Sequence, residues 1–149
     1  MNLLTMISGK TELWNIPHQY LIGFEDMQKY SKSNDCILIN TLKEDMQHCL
    51  ILNTVHAKQE VLAVEKALKE NKPFVIYGMN HYDASLLRKY QQLKNLGAVL
   101  IYVYGGGMFE WLMLQDIFGD DIFLTNKKEL DFLKYKSNQI FNKLYITND

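Results

Sequence analysis

The sequence predicts an α/β fold: a doubly wound, mainly parallel sheet of about five strands with helices on both faces. Three observations carry that expectation. Short, continuous apolar runs at 36–40, 74–77 and 99–104 have the length and composition of strands buried on both sides in a parallel sheet. Segments with helical periodicity separate them, as a βα alternation requires. Pro73, Gly97 and Gly119 then stand where elements have to stop or turn.

Taken in order, 20–22 reads as an edge strand and 24–32 as a first helix. The run from Cys36 to Asn40 is the first buried strand, followed by a loop through Glu44, His48 and Ile51. Residues 58–70 form a helix with Val61, Val64 and Leu68 on one face and Glu65 and Lys69 at pairing distance in sequence. Pro73 blocks its continuation, and Phe74–Tyr77 is the next strand. Asp83 is suited to cap a helix over 84–96 whose inward stripe is Leu86, Tyr90 and Leu93, and Gly97 gives it a left-handed stop. A strand over 99–104, a turn through Gly105, Gly106 and Gly107, and a helix over 108–118 ended by Gly119 follow. A last helix is expected over 126–136, and then an irregular tail.

At 149 residues the chain fits a single domain, 1–149, with its core over about 18–136, an extension over 1–17 and a tail over 137–149. A net charge of -1 gives no electrostatic case for nucleic acid or an anionic membrane surface. The basic residues are nearly all lysine, with Arg88 the only arginine, which argues against a strongly phosphate-reading site. Cys36 and Cys49 form neither a disulfide framework nor a metal-ligand spacing, and the expected compartment is the cytoplasm or another reducing interior. No run of 18 apolar residues occurs and the first ten residues lack a signal peptide's basic flank, so no membrane insertion is expected. No metal or cofactor is expected either.

The segment Phe74-Val-Ile-Tyr-Gly78-Met-Asn-His-Tyr-Asp83 reads as strand, tight loop and helix start. Together with Ile37–Asn40, the loop over 44–51, and Val99–Tyr104 running into Gly105, Gly106, Gly107, Phe109 and Trp111, it resembles a single-domain rhodanese over roughly residues 18–136. The resemblance implies a rhodanese-like fold and a sulfurtransferase loop whose first position holds the catalytic cysteine. Here that position is Gly78, which has no side chain to act as a nucleophile. In many rhodaneses the loop closes with a cation, and its inward amides stabilise a thiolate or persulfide; here Asp83 stands near the closing position and would repel such an anion.

No catalytic residue is therefore expected in the degenerate loop Gly78, Met79, Asn80, His81, Tyr82, Asp83. His81, Tyr82 and Ser85 are the substitutes to weigh, but spacing identifies no base or orienting partner, so His81 reads as an exposed loop residue, Asn80 as a turn residue and Asp83 as a cap. Cys49 adjoins His48, yet sequence neighbours seldom face one another, and Cys36 reads as a small hydrophobe in a strand. The three glycines lack a dinucleotide or P-loop pattern and read as a strand-to-helix turn.

The helix over 108–118 is too apolar to pack on one side only. Its second face needs a cover: the N-terminal segment with Leu13 and Trp14, the C-terminal Phe141, Leu144 and Tyr145, or a partner subunit. Phe109, Trp111, Leu112, Leu114 and Phe118 are accordingly the candidate binding residues, for a protein partner or a second copy. The reading that follows is a non-catalytic rhodanese-like domain acting as an interaction or structural module of a larger assembly. The alternatives are a sulfurtransferase or hydrolase with a non-standard nucleophile, and an anion or small-ligand module.

Overall fold

The computed structural model describes residues 16–141. In chain order its elements are β1 (Leu21–Ile22), α1 (Phe24–Ser31), β2 (Ile37–Asn40), β3 (Thr54–Val55), α2 (Glu60–Lys69), β4 (Phe74–Tyr77), α3 (Ala84–Asn95), β5 (Ile101–Tyr104) and α4 (Gly107–Phe118), with single turns of 3-10 helix at His18–Tyr20, Glu44–Met46, Ala57–Gln59 and Phe132–Tyr135. The strands make one five-stranded sheet in the order β1-β5-β4-β2-β3, and every pairing is parallel.

That order dictates where the helices lie. The crossover from β1 to β2 runs across the sheet in one direction, while those from β3 to β4 and from β4 to β5 run back in the other. Right-handed crossovers then place α1 on one face and α2 and α3 on the opposite face. The core divides accordingly. On one face Met27, Leu38, Val75, Tyr77, Tyr104, Met108, Trp111 and Leu112 pack together; on the other, Ile39, Phe74, Ile76 and Val103 pack under Val64, Ala67, Leu86, Leu87 and Leu93. Alternate residues of β4 thus feed alternate faces, the period of two that a strand covered on both sides must show.

Several expectations are corrected. Val61 is 70 % exposed, and the inward face of α2 is Val64, Ala67 and Leu68. Val99 is 83 % exposed and β5 begins only at Ile101. The edge strand β3 was not anticipated, since two residues carry no readable pattern. The helix expected over 126–136 is absent apart from the turn at Phe132–Tyr135. In its place runs an irregular strap held by side chains: Gln115 Nε2 donates to the Phe123 carbonyl at 2.7 Å, Trp111 Nε1 to the Leu124 carbonyl at 3.2 Å, and the Asn126 carboxamide accepts from Leu50 N at 2.9 Å. Tertiary hydrogen bonds here override local propensity.

The strap is also the cover that α4 requires. Phe123 is buried with its ring centroid 5.1 Å from that of Trp111, and Phe132 lies 6.2 Å from Phe109. Of the covers considered from sequence, Phe141 is exposed, and Leu13, Trp14, Leu144 and Tyr145 lie outside the described residues. Among the described residues no helix is long and apolar enough to cross a membrane.

Candidate functional site

The carboxyl ends of the strands carry the loops that the sequence singles out. In an open α/β sheet the crevice for a ligand opens where neighbouring strands send their connections in opposite directions. Here those neighbours are β2, which leads to β3, and β4, which leads back to β5. The loop Gly78–Asp83 leaves β4 at this point, and Thr41 and Leu42 leave β2 beside it.

Gly78 is buried, and its φ is not in the left-handed region, so what glycine supplies here is room. A Cβ at this position would stand 2.6 Å from Asp83 Oδ2 and 2.7 Å from Thr41 Oγ1. The carboxylate of Asp83 therefore fills the space that a side chain at position 78 would enter. Three donors hold it there. Met79 N donates to Oδ2 at 3.1 Å, while Ser85 N and Ser85 Oγ donate to Oδ1 at 3.0 and 2.6 Å. Asp83 is thus the N-cap of α3, as its position predicts, and also the anion around which the loop curls.

The remaining loop groups are similarly committed. Asn80, which sequence reads as a turn residue, accepts from Tyr82 N at 2.9 Å and also donates to the Tyr135 carbonyl at 2.7 Å, tying the loop to the strap. The first turn of α4 reaches the loop from the other side, with Met108 N and Phe109 N donating to the carbonyls of Gly78 and Met79 at 3.0 and 2.9 Å. That approach is why Gly107 has φ +66° and no Cβ: one there would stand 2.6 Å from the Gly78 carbonyl oxygen. The three glycines are a strand-to-helix turn against the loop. Their helix end spends its amides on backbone carbonyls rather than on an anion.

No substitute nucleophile is assembled among the described residues. His81 and Tyr82 are exposed and face one another, ring centroids 4.0 Å apart. The Ser85 hydroxyl proton is given to a carboxylate that also accepts two amides, so both groups are committed to the cap of α3. Cys49 is fully buried, its thiol donates to the Lys127 carbonyl at 3.1 Å, and burial pushes its pKa up. Cys36 is buried in the same core, and burial followed by the charge of Asp35 pushes it up to about 11. Both thiols stay protonated near neutrality, which removes the thiolate that sulfur transfer needs. His48 turns outward to Glu129 Oε1 at 3.3 Å, away from its neighbour Cys49, and Glu129 also pairs with Lys134.

Beside the filled loop the switch crevice remains open, with a volume of about 500 Å³. Its floor is Asn40, Thr41 and Leu42, and its walls are Ala57 and Glu60 on one side and Ser85, Arg88, Lys89 and Gln92 on the other. Under the floor lies a buried amide pair: Gln47 Nε2 donates to Asn40 Oδ1 at 2.7 Å, and Asn40 Nδ2 donates to Gln47 Oε1 at 3.2 Å and to the Val55 carbonyl at 3.0 Å. Gln47 also receives Ala57 N at 3.1 Å, so this knot ties the floor of the crevice to its Ala57 wall. Sequence reading named Arg88 and Ser85 but missed Thr41, Gln47, Glu60, Lys89 and Gln92. The usable signal was Asn40, a polar residue closing an otherwise apolar strand.

The candidate binding residues on α4 separate into core and surface. Trp111 and Leu112 are buried in the core beneath the strap rather than on the surface. Phe109 and Leu114 are half-buried against the same core. Phe118 is 60 % exposed, and its ring and that of Phe24 flank buried Phe123 at 6.3 and 5.8 Å, while Ile117 and Ile122 are exposed next to them in sequence. No group of three or more His, Cys, Asp or Glu among the described residues is placed to hold a metal ion.

No protein-family model matches the chain, and no curated protein is significantly similar to it.

Proposed function

We propose that this chain is a non-catalytic, rhodanese-like domain that serves as a protein-interaction or structural module of a larger assembly in a reducing compartment. The observation that carries this reading is the Asp83 carboxylate. It occupies the place where the resemblance puts a reactive sulfur, and it is held by Met79 N, Ser85 N and Ser85 Oγ. A loop that has closed around its own anion has no room for a persulfide. The parallel α/β sheet is compatible with the family, and burial of both thiols argues against their standing in for the missing one. The exposed apolar side chains Phe24, Ile117, Phe118 and Ile122 support the interaction role.

Transfer of sulfur from thiosulfate to cyanide tests the first half of the proposal. Wild type and Cys49→Ser are both expected at the uncatalysed rate, and turnover that disappears with Cys49 would overturn it. Light scattering and affinity capture test the second half. A stoichiometric larger species is expected with wild type and is lost in Ile117→Asp/Phe118→Asp; a monomer that captures nothing in a surface-dependent way sinks the interaction role.

A further inference from the structure

The crevice between β2 and β4 has more donors than its own acceptors consume. Lys89 Nζ is fixed by Glu60 Oε2 at 2.6 Å and Gln92 Oε1 at 2.9 Å, which leaves the third proton of the ammonium uncommitted. The Gln92 carboxamide is oriented by that contact and retains its N–H groups. Arg88, exposed on the same wall, pairs with no carboxylate among the described residues, so its five-donor fork is available. Of the two nearby carboxylates, Glu60 is paired with Lys89, while Asp83 keeps its charge and turns it toward three neutral donors from Met79 and Ser85. The unpaired guanidinium of Arg88 and the spare donors of Lys89 and Gln92 therefore line one end of a cavity of about 500 Å³, a size that suits a small molecule, at the place where this topology opens a ligand crevice.

We infer that this crevice binds a small molecule through an oxyanion group, carboxylate or phosphate, held by Arg88 and Lys89. Asp83 fixes the orientation. Its carboxylate lies against Thr41 and Ser85, so the anionic group sits at the Arg88–Lys89–Gln92 end and the less charged part of the ligand lies over Thr41 and Leu42. The inference stands apart from the non-catalytic reading, since binding here requires no nucleophile.

Amide chemical shifts followed during titration with inorganic phosphate and, separately, with succinate at constant ionic strength test it. Saturable shifts are expected for residues 40–42, 57–60 and 85–92 with at least one of the two anions, and the response to each distinguishes the phosphate from the carboxylate source. Arg88 is exposed, so Arg88→Gln keeps the fold, and it is expected to weaken binding by about tenfold through loss of a bidentate, charge-assisted contact. Lys128→Gln, which does not line the crevice, is expected to bind as wild type. No saturable response to either anion, shifts centred elsewhere, or equal affinity in Arg88→Gln would overturn the assignment.

Discussion

Gly78 and Asp83 show how two residues five apart define one local structure. Glycine leaves a hole beside Thr41 Oγ1, and the carboxylate occupies it while capping α3. That position 78 carries no side chain was readable directly; the filling of the space beside it was not, because it depends on the loop curling back until residue 83 meets residue 78. The arrangement predicts an energetic coupling. Gly78→Ala should destabilise the protein by about 1–3 kcal/mol, since the new methyl must displace the carboxylate from its three donors. In an Asp83→Ala background, where the cap itself has been lost at a cost of about 1 kcal/mol, the same substitution should be milder by about 1 kcal/mol, with contact to Thr41 as the residue of the effect. Urea denaturation of the four proteins measures this. Additivity within about 0.3 kcal/mol would mean that the two side-chain sites do not compete for space.

Among the elements, α4 was legible as a helix and as one with too much apolar surface, but its cover was not. The strap that buries Trp111 and Leu112 contains Phe123, Phe132 and Tyr135, of which only the last two stand at helical spacing, and charged residues interrupt it. Local propensity therefore suggested a helix over 126–136. What fixes the real path is a set of side-chain donors and acceptors contributed by α4 and by the loop after β2, and these have no signature in the strap's own sequence. Gln115 is central because its carboxamide reaches both the Phe123 carbonyl at 2.7 Å and Thr125 Oγ1 at 3.1 Å. Gln115→Ala leaves that buried carbonyl without its donor and should cost about 1–3 kcal/mol, with a red shift of Trp fluorescence as the strap loosens over Trp111. Lys127→Ala, an exposed change in the same strap, should stay within about 0.5 kcal/mol of wild type. A Gln115→Ala protein as stable as the lysine variant would show that apolar contact alone holds the strap.

For the whole molecule, the alternation of apolar runs and helical patterns was enough to anticipate a parallel sheet covered on both faces, because the buried strands β2, β4 and β5 show that pattern over four residues each. The order β1-β5-β4-β2-β3 was not readable, and with it the crevice, whose lining is drawn from residues 40 to 92 and converges only through the sheet. The same order sets a gradient of local stability. β4 lies at the centre, hydrogen-bonded to β2 on one side and β5 on the other, with all four of its residues buried. The edges β1 and β3 are two residues long and half-buried. Opening β4 means separating both core layers, so its amides should exchange only through global unfolding, whereas an edge strand can detach with little loss of buried surface. Native-state hydrogen exchange should therefore find Val75, Ile76 and Tyr77 the slowest and Leu21, Ile22 and Val55 faster by about a hundredfold or more, a gap of roughly 3 kcal/mol in opening free energy. If the edges exchanged as slowly as the centre, the sheet would have to open as one unit, and the ordering of its strands would not be what sets local stability.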